Sequence, residues 1–112
     1  MEYQTKDSGA RAEFTTGMVR DVTTGKPRYD LIWRPGLKRL AELMQRGAIK
    51  YQARNWEKAS TQEELDRFKE SANRHFEAWF QGETDEDHMA GCIFNLFGAE
   101  YVKGKLNAPK VS

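Results

Sequence analysis

Cysteine is almost missing from this 112-residue chain; Cys92 is the only one. A lone thiol excludes an intrachain disulfide and every zinc motif built on paired cysteines, and it fits a reducing compartment. A surplus of one charge is missing as well. Eighteen Lys and Arg stand against seventeen Asp and Glu, a net charge of +1. That lacks the basic excess of a general nucleic-acid binder, so no nucleic-acid polymer is expected as a partner, although a local basic pocket remains open. No apolar run approaches the roughly eighteen residues of a membrane span. Residues 1–14 carry no apolar signal-peptide core, so the expectation is a cytoplasmic protein with no membrane partner. There is no phosphate-binding glycine loop and no dinucleotide fingerprint, so phosphates would have to be held by side chains.

What is present suits one small domain. The length is too short for two domains of ordinary size. A core this small is thin, and self-association is one way to extend it. Residues 1–35 carry Gly9, Gly17, Gly25, Pro27 and Pro35 without helical periodicity and read as an extended N-terminal arm. Its apolar points include Phe14, Met18 and Leu31-Ile32-Trp33, the last being the segment expected to dock. The helical core is expected over 36–104 and a frayed tail over 105–112.

Three helices are predicted. The first follows Pro35, with Leu37, Leu40, Ala41, Met44 and Ala48 on one apolar stripe. Tyr51 to Trp56 reads as an irregular turn. The second opens at a capping box, Ser60-Thr61-Gln62-Glu63, and ends at Gly82. The third is capped by Thr84 or Asp85 and opens at His88. It is apolar on nearly every side, from Met89 to Val102, which predicts a helix buried all round and, in so short a chain, a partner subunit to bury it. The fold class is therefore all-α: a three- to four-helix bundle with an extended N-terminal arm, completed by a homo-oligomer.

Two groups of residues could carry chemistry. Lys50-Tyr51 with Arg54-Asn55-Trp56 and Lys58 combines cations that suit phosphate with rings that can stack on a base; the alternative is a solvated helix end. His88 and Asn95 share a face of the third helix, and Arg74-His75 lies on the second; they form either a structural hydrogen-bond network or the floor of a pocket. The arm adds Arg20, Lys26 and Arg28, which could close over an anion. For a metal, His88 with Asp85 or Asp87 is one combination, and no particular ion is specified.

The ordered runs Thr16 to Asp21, Gly25 to Ile32, Gly47 to Tyr51, Arg54 to Lys58, Arg74-His75, Gly82-Glu83 with Asp85, and His88 with Asn95 resemble the phage dATP/dGTP diphosphohydrolase N-terminal family, over about residues 15–102. The resemblance implies a helical protein of phage or prophage origin, acting in the bacterial host cytoplasm on purine deoxynucleoside triphosphates. It also implies kinship with MazG-like pyrophosphohydrolases. Those enzymes hold magnesium with ExxE on one helix and ExxD on a later one. Here Glu63-x-x-Asp66 has the second spacing, without an ExxE on a preceding helix.

Three functions follow. The first is a nucleoside triphosphate pyrophosphohydrolase, with Mg2+ as cofactor. Lys50, Arg54 and Arg74 would hold phosphates, Tyr51 or Trp56 would stack on the base, and Glu42, Glu77, Asp87 or His88 would position metal or activate water. The second is a non-catalytic protein that sequesters a purine nucleotide or related phosphorylated ligand, countering host immunity that signals through nucleotides. The third is a structural or interaction domain.

Overall fold

In the computed structural model, residues 3–108 are described. The chain divides into two compact units, Met1–Leu31 and Ile32–Ser112. The first is not simply extended. It holds an antiparallel hairpin, β1 (Arg11–Glu13) with β2 (Val19–Asp21), in the register Ala12 opposite Arg20. The turn is closed by Phe14 and Gly17, whose φ of 89° lies in the region where glycine carries no Cβ penalty.

The second unit is three α-helices: α1 (Arg34–Lys50), α2 (Gln62–Phe80) and α3 (His88–Leu106). The mostly helical, three-helix reading of the sequence holds. Helix α1 opens two residues earlier than expected, with Pro35 in its first turn, where no N–H is needed. Between α1 and α2, Asn55–Lys58 forms a 3-10 turn entered through Arg54 at φ 62°.

The caps differ from expectation in detail. The N-cap of α2 is Thr61 rather than Ser60. Thr61 Oγ1 accepts from the Glu64 N–H at 3.2 Å, and Glu64 Oε1 accepts in return from the Thr61 N–H at 3.1 Å. The chain offers two overlapping boxes, Ser60/Glu63 and Thr61/Glu64, and only the second closes. The cap of α3 is Asp87, not Thr84 or Asp85; its Oδ1 accepts from the Ala90 N–H at 3.1 Å.

Helices α2 and α3 make the main packing contact, and they meet through small residues. Gly91, Gly98, Ala90, Ala99 and Ala72 are buried. The Phe68 ring seats over Gly98, and the His75 ring over Gly91. Earlier residues of α2 thus meet later residues of α3, an antiparallel pair. The core gathers Ala59, Leu65, Ala99 and Val102, with Phe68 and Tyr101 against it. The 3-10 turn is pinned to the end of α3. Tyr101 donates its hydroxyl to the Glu57 carbonyl at 3.0 Å, and Lys105 Nζ donates to the carbonyls of Glu57 (2.7 Å) and Ala59 (2.9 Å).

Three apolar faces lie open within this chain. Helix α3 is covered on one side only: Leu96 and Phe97 remain 51% and 61% exposed. Leu31, Ile32 and Trp33, the expected docking segment, are exposed too. The α1 stripe is also mostly uncovered. Leu40 is buried, but Ala41, Met44 and Ala48 face an open cleft instead of a core. Periodicity identifies an apolar face without saying what it faces.

Candidate functional site

The cleft holds about 1670 Å³, and all its lining residues belong to the second unit. One wall is the C-terminal half of α1 and the turn after it. The opposite wall is the α2–α3 loop from Glu83 to Asp87 with the start of α3. Phe68, His75 and Trp79 of α2 complete it.

Of the residues expected to bind nucleotide, Lys50, Tyr51, Arg54, Asn55, Trp56, His75 and Asn95 all line this cleft. The local backbone explains the first five. Helix α1 stops at Tyr51, whose N–H still reaches the Gly47 carbonyl, and the left-handed Arg54 then reverses the chain. Lys50 Nζ lies 5.1 Å from the Tyr51 ring centroid. Arg54 is 78% exposed, with one partner, Glu57, at 2.8 Å. Trp56 is half-buried, edge-on to Tyr101 at 5.0 Å, so it serves the core and the cleft wall together.

Other candidates lie elsewhere. Arg74 and Glu77 line a smaller, adjoining depression of about 530 Å³ that shares His75, Glu83, Glu86 and His88 with the cleft, and Arg74 is paired with Glu70 at 2.9 Å. Glu42 is exposed on α1 and lines neither hollow. Arg20, Lys26 and Arg28 belong to the first unit. There Lys26 approaches Asp21 at 3.7 Å, and Arg28 grips Asp30 at 2.7 and 2.8 Å. Asn95 is buried and donates its amide to the Gly91 carbonyl at 2.7 Å, which gives it a structural duty at the cleft floor.

Sequence reasoning missed three cations of the cleft: Arg39, Arg46 and Arg67. A signal existed for two of them. Arg39, Arg46 and Lys50 stand at i, i+7 and i+11, one face of α1. Arg39 crosses to the opposite wall and grips Asp87 with both nitrogens, Nε to Oδ2 at 2.8 Å and Nη2 to Oδ1 at 2.7 Å. The guanidinium holds the Asp87 carboxyl down to about 2, from an ordinary value of 3.8. Asp87, expected as a metal or water ligand, is instead committed to an arginine fork and a helix cap.

That commitment predicts a pH dependence. The folded-state pKa lies below the unfolded one, so the stabilisation is complete above about pH 4 and fades as pH falls toward 2. Its size is on the order of 2 kcal/mol. Asp87→Asn keeps a capping side chain but loses the charge. It should unfold more easily at pH 7 in urea and show a flatter loss of stability between pH 4 and 2. Equal acid limbs for both proteins would contradict this assignment.

Beside Asp87 runs a chain of three side chains. Asp85 Oδ1 lies 2.7 Å from His88 Nε2, and His88 Nδ1 lies 2.9 Å from His75 Nδ1. His88 is 7% exposed, while Asp85 is open to solvent. The imidazole holds the Asp85 carboxyl below its usual range. Gly91 makes room for this chain: a Cβ there would stand 2.9 Å from three atoms of the His75 ring.

The cleft lining carries both signs of charge, Arg46, Lys50, Arg54 and Arg67 with Glu83, Asp85 and Glu86, and has Ala41, Met44 and Ala48 as its apolar part. The family model for dATP/dGTP diphosphohydrolase, N-terminal, matches residues 16–107. The chain belongs to that family. No curated protein and no solved structure matches. Among the described residues, no helix is long and apolar enough to cross a membrane. The match takes in both walls of the cleft and every residue of the Asp85–His88–His75 chain.

Proposed function

We propose that this chain binds a purine deoxynucleoside triphosphate in the cleft and hydrolyses it to monophosphate and pyrophosphate. The observation that carries this is the gathering of Lys50, Tyr51, Arg54 and Trp56 opposite His88, Asp85 and Glu86 within a member of a dATP/dGTP diphosphohydrolase family. Lys50 and Arg54 hold the phosphates, Arg54 through its donor fork. Tyr51 stacks on the base, being the more exposed ring. Water attacks the α-phosphorus, the bond to the bridging oxygen breaks, and pyrophosphate leaves.

Mg2+ is the cofactor of this reading. It takes one or two carboxylates along with substrate phosphates and water. Asp85 and Glu86 fit that demand, since each can bring an oxygen within 4.8 Å of the other and of a His88 nitrogen. The ion would neutralise charge developing on the phosphates. Purified protein with dATP or dGTP and Mg2+ should release pyrophosphate; no release from either would remove the hydrolase reading.

A second reading is a nucleotide-sequestering phage protein. It is favoured by the position of Glu42 and Glu77 outside the cleft, which leaves fewer carboxylates for chemistry. Nucleotide recovered intact after denaturing the complex would support it.

The protein works as a homo-oligomer in the host cytoplasm. The uncovered Leu96 and Phe97 of α3, with Phe76, Trp79 and Phe80 of α2, leave large apolar side chains open that a second copy would cover. Light scattering should give a multiple of 13.0 kDa, and Phe97→Lys should lower it; a wild-type mass of one chain would overturn this.

A further inference from the structure

The geometry points to a site for a divalent first-row transition ion, held by His88 Nε2, Asp85 and Glu86, with His75 as its outer partner. It sharpens the metal end of the proposed cleft, but it stands on its own observations and is tested without nucleotide.

Three ligand atoms, one each from Asp85, Glu86 and His88, lie within 4.8 Å of one another. His88 Nε2 and Asp85 Oδ1 are 2.7 Å apart. Neighbouring donors at about 2.1 Å from one six-coordinate ion lie about 3 Å apart. Magnesium favours an all-oxygen shell, whereas imidazole nitrogen suits zinc, nickel and their neighbours. A buried imidazole beside two open carboxylates therefore favours such an ion when no nucleotide is bound, since magnesium then lacks the phosphate oxygens that complete its shell.

The second observation lies behind the first. A metal-bound histidine almost always gives its other ring N–H to an acceptor, which fixes the tautomer. His88 Nδ1 has such a partner, His75 Nδ1 at 2.9 Å. Gly91 provides the space for it. Asp87 is unavailable as a ligand because Arg39 and the α3 cap hold it.

This arrangement has a consequence that a hydrogen-bonded triad lacks. Without metal, His88 donates from Nε2 to Asp85, its Nδ1 accepts, and His75 must carry its proton on Nδ1. With metal on Nε2, His88 carries its proton on Nδ1 and donates it to His75 Nδ1. His75 then carries its own proton on Nε2. Loading the site reverses the histidine–histidine hydrogen bond and switches the His75 tautomer.

The test uses the full chain, stripped with chelator and titrated with Zn2+. Histidine nitrogen NMR and calorimetry are followed together. The expected result is one saturable equivalent per chain with His75 switching from the Nδ1–H to the Nε2–H form. His75→Gln should weaken binding about 10- to 100-fold, and Glu86→Gln, an exposed position, should weaken it without disturbing the fold. His88→Asn should abolish the site; if that variant fails to fold, the wild-type tautomer switch decides alone. No saturable binding, or binding that leaves the His75 tautomer unchanged, overturns the proposal. Failure of pyrophosphate release with a normal zinc titration would count against the hydrolase reading only.

Discussion

Gly98→Val should unfold the second unit or bring it close to unfolding. A Cβ built on Gly98 lands on the Phe68 ring, 2.6 Å from Cδ1 and 2.7 Å from Cζ, with Cε1 nearer still. The ring has little room to retreat, since it packs edge-on to Phe94, 6.2 Å between centroids, and against the buried cluster of Leu65 and Val102. Forcing extra carbons into such a contact costs about 1–3 kcal/mol. Alanine at this helical position regains about 1 kcal/mol of propensity over glycine, so Gly98→Ala should lose up to about 2 kcal/mol. Valine adds two more methyl groups at the same point and should lose about 3 kcal/mol or more. A domain of this size has roughly 5–15 kcal/mol in all. The melting temperature should fall by about 4–8 °C for each kcal/mol. Phe68→Ala in the Gly98→Ala background should cost less than Phe68→Ala alone, because the clash is shared. A Gly98→Ala protein that melts higher than wild type would show that the helices are not in van der Waals contact there.

Lys50→Ala with Arg54→Gly should lower nucleotide affinity by about 100-fold or more, with no loss of stability. Each charge-assisted phosphate contact contributes about 1.5–3 kcal/mol. Arg54 is also the only described residue other than glycine with positive φ, at 62°. A side chain there costs about 1–2 kcal/mol of backbone strain, which glycine does not incur. The double variant should therefore melt at the wild-type temperature or slightly above while binding dATP far more weakly in calorimetry. Unchanged affinity would place the phosphates elsewhere in the cleft. A large drop in melting temperature would mean that the Arg54–Glu57 pair holds the turn, a role that 78% exposure of the Arg54 side chain argues against.

Much of this was legible in the sequence. Pro35, Gly82 and the 60–64 segment mark helix ends by backbone chemistry, and the observed ends lie within one or two residues of them. The Lys50–Trp56 cluster was legible because its residues are neighbours in the chain. What escaped depends on events between elements. Strands of three residues are too short to show alternation, so the hairpin at 11–21 gave no pattern. The α1 stripe shows in its spacing, but an apolar face can back a core or line an open cleft, and periodicity does not distinguish them. Asp85 and Asp87 could not be told apart, since each stands near the start of α3 and the choice depends on Arg39, 48 residues before Asp87. The His75–His88 contact joins two helices and requires the absent side chain of Gly91, which spacing within one helix does not reveal.

Those two glycines have a further consequence. Phe68 and His75 are seven residues apart on α2, and their notches at Gly98 and Gly91 are seven apart on α3. A slide of one helix along the other by two turns would bring His75 over Gly98. Gly98 would still accept a ring, but Phe68 would then face Lys105, where no glycine makes room, so shape already disfavours the slide. Polarity adds to it. At Gly98 the imidazole would lie among Phe94, Ala99 and Val102, far from His88, and a buried imidazole without a hydrogen-bond partner costs about 1–3 kcal/mol. The histidine pair thus acts as an alignment mark: it adds polarity to shape in selecting the register, so a contact that shapes the cleft also helps to fix how the two long helices are joined.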